Sequence, residues 1–116
     1  MNKDQVNHFF VGTWKGTDNG MYIPGEINNW VVVRKTDGTF KIKYTTYYQN
    51  GFVDEVEEQG TWEILENNIF KEFKSGESQP DLYFFNILTP NSIHYIDASG
   101  EDPIPYNFYD HRILLD

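Results

Sequence analysis

Hydrophobic and polar positions alternate along most of the chain, with the period of two expected of half-buried β-strands. The alternation is clearest over residues 39–48, where Phe40, Ile42, Tyr44, Thr46 and Tyr48 fall on one face and Lys41, Lys43, Thr45 and Tyr47 on the other. Residues 30–35 (WVVVRK) form the strand before it. Asp37-Gly38 lies between them, a hairpin signal of the kind whose two central positions both take positive φ, so the two strands are expected to pair antiparallel. Asn50-Gly51, Asn67-Asn68 and Ser75-Gly76 supply three further turns.

Residues 52–58 alternate imperfectly, since Val53 and Val56 differ in parity, which predicts a bulge or bend. Gly60 is a pliant point before the strand at 61–65, and residues 69–74 alternate again. The run at 82–88 (LYFFNIL) is apolar on both faces, as expected for a strand covered on each side. Thr89-Pro90-Asn91 turns the chain into a strand at 92–96. A polar loop at 99–103 follows, then a last strand at 105–115 with Tyr106, Phe108, Asp110, Arg112 and Leu114 on one face. At the other terminus, Val6, Phe9 and Phe10 have helical spacing within residues 3–10, predicting a short helical segment that plugs one end. The strand after it, residues 10–17, is broken by Asp18-Asn19-Gly20, and Pro24-Gly25 marks a further turn.

About eight strands joined by short turns make a meander whose apolar face must be hidden, either between two packed sheets or by closure. Short connections favour closure, because an up-and-down barrel needs only neighbouring strands. The expected fold is therefore all-β: a single domain over residues 1–116, forming an antiparallel up-and-down β-barrel with a short N-terminal helix. An interior of about eight strands is just wide enough to be filled by side chains or to hold one small ligand.

Composition sharpens this picture. Aromatic residues make up 17 % of the 116 positions, and such side chains suit a pleated, half-buried surface. The formal charge of −9 argues against nucleic acid, whose phosphates require clustered Lys and Arg. With no cysteine, the chain has neither a disulfide framework nor a thiolate metal site. Met1-Asn2-Lys3-Asp4-Gln5 lacks the apolar core of a secretory signal, and no run is long enough to span a bilayer. A cytoplasmic protein is expected, unless a leader has been removed.

Candidate chemistry is sparse. His8, His94 and His111 sit on separate elements without metal-ligand spacing. His94 with Asp97 and Asp110 with His111 are acid and base pairs without an accompanying nucleophile. There is no P-loop, dinucleotide-binding turn or serine elbow. No catalytic residue, metal or cofactor is assigned, and the protein is read as non-enzymatic. Tyr44, Thr46, Tyr48, Trp62, Phe84 and Tyr95 are candidates to line a ligand pocket, the alternative being a solid aromatic core. A buried cavity of roughly 300 Å3 or more would favour the pocket, and a filled interior would count against it. Asp54, Glu55, Glu57 and Glu58 gather negative charge on one hairpin, either as a solvated face or as a docking surface for a basic protein. In physical type, a small acidic protein of this kind resembles bacterial immunity proteins, which neutralise a toxin by covering its active site.

Gly12-x-Trp14 on the first strand after a short helical segment, with Arg112 on the last strand, resembles the pattern of the lipocalin (calycin) family. The resemblance implies that Arg112 lies over Trp14 and seals the bottom of the barrel, and that a small apolar or aromatic molecule binds in the mouth. The stretch Gly12-Thr13-Trp14-Lys15-Gly16-x-x-x-Gly20-x-Tyr22-x-Pro24 is similar to the opening of nitrobindin-like haem barrels, which implies His111 as an iron ligand. A lipocalin-like binding protein is the leading reading. An acidic protein-binding module stands second, and a haem or enzymatic barrel third.

Overall fold

Asn2 starts a helix, α1 (Lys3–Phe10), through a capping box: its side chain accepts from the Gln5 amide, and the Gln5 side chain accepts from the Asn2 amide, both at 2.9 Å. The structure, a computed structural model, describes residues 1–100 and 104–114. Eight strands follow in order: β1 (Gly12–Asn19), β2 (Ile27–Arg34), β3 (Thr39–Tyr47), β4 (Val53–Leu65), β5 (Ile69–Lys74), β6 (Asp81–Thr89), β7 (Ser92–Asp97) and β8 (Asn107–Arg112). Each pairs antiparallel with the next, and β8 returns to β1, so the sheet is a closed up-and-down barrel. The seam is narrow: Trp14 faces Arg112, Lys15 faces His111, and one further bond joins the Ile113 amide to the Thr13 carbonyl at 2.8 Å. Among the described residues, no helix is long and apolar enough to cross a membrane. Part of the expected loop at 99–103, and Leu115 of the expected last strand, lie outside the described residues.

Turn chemistry sets the strand ends. Asn67 and Asn68 both take positive φ, 62° and 56°. The Asp37-Gly38 and Asn50-Gly51 turns differ from the two-residue expectation, because only Gly38 (84°) and Gly51 (89°) are left-handed. In each, the glycine amide bonds back three residues, to Lys35 or Tyr48, and the preceding Asp37 or Asn50 side chain accepts from the amide two residues on. The bulge predicted near Val53 and Val56 is absent. β3 and β4 pair without a slip from Thr39 opposite Thr61 to Tyr47 opposite Val53, and Gly60 sits within one long strand. Both valines are exposed there, so their parity carries no burial information. A register shift occurs instead between Ile87 and Thr89, just before Pro90.

The end plugged by α1 is dry. Phe10 is fully buried, its ring 4.9 Å from that of Phe85 and 5.4 Å from that of Phe70, with Trp14, Val32, Phe40 and Ile93 also buried. The Arg112 guanidinium lies 4.3 Å from the Trp14 ring and donates to the carbonyls of Phe9 at 2.7 Å and Val11 at 3.1 Å. One cation thus covers an indole and satisfies carbonyls at the end of α1, binding the last strand to the first. At Gly12 (φ 125°) a Cβ would meet Arg112 Nη1 at 3.1 Å, so a side chain there would crowd this contact. β6 is not covered on both sides: Phe85 points in, while Phe84 stands on the outer wall between Ile69 and Ile96.

Candidate functional site

Opposite α1 lies the open end, where β1, β3, β5 and β7 finish. The in-facing positions change character as each strand approaches it. On β3, Phe40 and Ile42 are buried, whereas Tyr44 and Thr46 are half-buried. On β5 the inward sequence runs Phe70, Glu72, Lys74. The Lys74 ammonium lies 3.7 Å from Glu58 and 3.9 Å from Asp81, on the two strands flanking β5, and 5.2 Å from the centre of the Tyr44 ring. Asp18 accepts from the amides of Met21 and Tyr22 and from the Tyr106 hydroxyl at 3.0 Å, which ties the loop after β1 to the chain entering β8.

Electrostatics at this end follow from burial. Glu72, 9 % exposed, has neither a side-chain hydrogen bond nor an ion pair among the described residues, and burial pushes its carboxyl up to about 7 against the pull of Arg34 and Lys74. Burial also pushes the Tyr44 hydroxyl up to about 12 and raises those of Tyr83, Tyr95 and Tyr106, so these phenols keep their protons at neutral pH. For Lys74 burial acts the other way, but Tyr44, Glu72 and Glu58 outweigh it and hold the ammonium charged.

Deeper in the barrel, Arg34 and Asp110 form a buried ion pair at 3.3 Å, and Asp110 also accepts from the Trp30 indole at 2.7 Å. The Arg34 guanidinium lies 4.8 Å from the centre of the Phe70 ring. Nη1 of Arg34 and the hydroxyl of Tyr95 are also buried there, and among the described residues neither makes a hydrogen bond of standard geometry.

The residues singled out from the sequence divide between these regions. Tyr44 and Thr46 face the open end, with Thr46 donating to Asn28 at 2.6 Å. Trp62 and Tyr95 face inward but belong to the packed core. Tyr48 lies past the end of β3 at the rim, and Phe84 is on the outer wall, 47 % exposed. The four acidic residues do not share a face. Asp54 and Glu58 pair with the inward positions Thr46 and Ile42, whereas Glu55 and Glu57 point outward beside Lys43, which lies 3.4 Å from Glu55. His111 is exposed on the outer face, away from the barrel interior. Among the described residues, no group of three or more His, Asp or Glu is arranged to hold a metal ion.

Glu72, Lys74, Asp81 and Tyr83 escaped sequence reading, because Ile69 and Phe73 on one face of β5 rival Phe70 on the other. The signal that resolves this is the pairing of Phe70 with Tyr83. Around the open end, Tyr22 (69 %), Phe52 (71 %) and Ile104 (84 %) are exposed. Two cavities lie elsewhere: a groove of about 390 Å3 between α1 and the turn before β3, beside Asp4, His8, Asp37 and Trp62, and a dent of about 100 Å3 on the outer wall near Lys71. Neither is the tyrosine-lined interior cavity expected of a hollow barrel, and the reason is that Phe10, Trp14, Phe40 and Phe70 fill the helix end.

No family model and no curated protein matches the sequence. Among solved structures, the chain is similar to a de novo designed fluorescence-activating β-barrel, with a TM-score of 0.58 and 18 % identity over 97 % of this chain and 100 % of that one. At that identity the likeness is one of fold.

Proposed function

We propose that the protein is a lipocalin-like, non-enzymatic barrel that binds a small aromatic or apolar molecule in the mouth at its open end. The observation that carries this reading is the pairing of an exposed apolar rim, including Tyr22, Phe52, Val56 and Ile104, with an interior lined by tyrosine hydroxyls and charge. A barrel shaped by stability alone gains by filling its inward positions with apolar side chains, and desolvating Glu72 and Lys74 costs free energy. Apolar walls with a few convergent polar groups are the usual make-up of a small-molecule site. The stack of Arg112 on Trp14 supports the lipocalin-like reading of the closed end. Because the core beneath is packed, the site is shallow and suits a flat ligand of one or two fused rings. A protein-docking role for the acidic hairpin draws less support, since Lys43 and Lys74 pair with Glu55 and Glu58.

Titration of the 15N-labelled protein with 2-acetylnaphthalene tests the reading. The amide shifts are expected to move in the loops after β1 and β3 and around Tyr44, Lys74 and Tyr83. Shifts confined to the groove between α1 and the turn before β3, or none at millimolar probe, would overturn it.

A further inference from the structure

The groove of about 390 Å3 lies outside the barrel interior, between α1 and the turn joining β2 to β3. Its volume is within the range of small-molecule sites. One wall is a single side of α1, because Asp4, Asn7 and His8 stand three and four residues apart. The facing wall is the turn at Thr36 and Asp37, with Glu63 of β4 beyond it. Val11 and the buried Trp62 supply apolar surface between the two.

The charge around this recess has one sign. Asp4, Asp37 and Glu63 are exposed carboxylates from three different elements, and neither lysine nor arginine lines the groove. Among the described residues none of the three forms an ion pair; Lys71 lies opposite Glu63 in the register without making one. Asp37 stays ionised, since the hydroxyl and the amide of Thr39 donate to it at 2.6 and 3.0 Å and hold its carboxyl below the usual range. The carboxylates do not converge: no group of three or more His, Asp or Glu among the described residues is placed to hold a metal ion. A recess with an apolar strip and separated negative charges matches a flexible cation whose own charges are spaced along methylene chains, and not a compact ion.

We propose that this groove is a second binding site, for an aliphatic polyamine: its ammonium groups pair with Asp4, Asp37 and Glu63 while its methylenes lie along Trp62 and Val11. An ammonium near the indole gains further from the ring face. The site is separate from the mouth, at the other end of the barrel, and stands or falls without it.

Two cations of equal charge test the proposal. Spermidine and hexaamminecobalt(III) are both trivalent, but only spermidine carries methylenes. In about 150 mM salt, where charges more than about 8 Å apart are largely screened, wild-type protein is expected to bind spermidine about tenfold more tightly. Amide shifts in the 15N-labelled protein are expected at Asn7, His8 and Gly38 and at the Trp62 indole. Asp4→Asn combined with Glu63→Gln should weaken spermidine about fivefold. Glu55→Gln combined with Glu57→Gln removes the same charge from the outer face of β4, where Glu57 stands about 20 Å along the strand from Glu63, and should leave affinity unchanged. Equal affinities for the two cations, or equal weakening in both double variants, would reduce the effect to the chain's net negative charge and overturn the proposal. Shifts centred away from the groove, or no binding at millimolar spermidine, would overturn it as well. The comparison of the two cations on wild type decides the matter even if a variant does not fold.

Discussion

Three consecutive inward positions of β5 separate the two ends of the barrel. Phe70 is buried among rings at the helix end, Glu72 is buried with no hydrogen bond or ion pair among the described residues, and Lys74 bridges carboxylates from two neighbouring strands at the mouth. β3 makes the same transition, from Phe40 and Ile42 to Tyr44 and Thr46. One set of strands thus carries two interiors. The helix end is closed by α1, Phe10 and the Arg112 stack on Trp14, and its packing holds the barrel shut. The open end gives up that packing and keeps charge, hydroxyls and an apolar rim. The difference teaches that packing is concentrated at one end; on the proposed reading binding belongs to the other, so substitutions at the two ends should fail in different ways.

The largest expected effect is at the helix end. Trp14→Ala removes a fully buried indole together with its bond to the Phe10 carbonyl at 3.0 Å, and should cost about 3–5 kcal/mol in urea unfolding. A loss below about 1 kcal/mol would mean that the seam does not hold the barrel closed.

Glu72 marks the transition between the two interiors and should reveal itself through pH. Its folded pKa of about 7 stands above the 4.5 of an unperturbed carboxyl, so the folded chain holds a proton that the unfolded chain has released. Its contribution is full below about pH 4.5 and is lost as pH rises to about 7, a change of about 3 kcal/mol. Glu72→Gln should flatten the stability curve of wild type across that window, measured by denaturation at a series of pH values. Parallel curves for the two proteins would show that Glu72 is solvated.

Smaller still is the effect of Tyr95→Phe. The variant loses a hydroxyl that makes no hydrogen bond of standard geometry among the described residues, while keeping the ring stacked on Phe108. Stability should be unchanged or rise by about 1 kcal/mol. A loss of about 2 kcal/mol would show that the hydroxyl is paired in the folded chain.

The barrel was legible because its turns are written in Asn, Asp and Gly and its strands alternate cleanly; β3 shows both. The contact of Trp14 with Arg112 was legible only through a family pattern, since nothing in local periodicity joins residues so far apart. The mouth was not legible. A lysine or glutamate at an alternating position reads as outward, and β5 carries apolar residues on both faces, so its orientation awaits its partner strand. The same uncertainty affects β6, where Tyr83, Phe84 and Phe85 are adjacent and only pairing with Tyr95 and Ile96 fixes which ring turns inward. The acidic run on β4 reads as one patch when charges are counted along the chain, but period two sends alternate carboxylates to opposite faces.

The separation of the two ends is tested most directly by measuring stability and affinity together on a rim variant. Phe52 and Val56 are exposed and lie far along the chain from the Trp14 seam, so Phe52→Ser combined with Val56→Ser should leave the unfolding free energy within about 0.5 kcal/mol of wild type. Its affinity for 2-acetylnaphthalene should fall by about tenfold or more, as expected when apolar contact area is removed. Affinity that is unchanged, or that falls only in step with stability, would contradict a barrel held at one end and binding at the other.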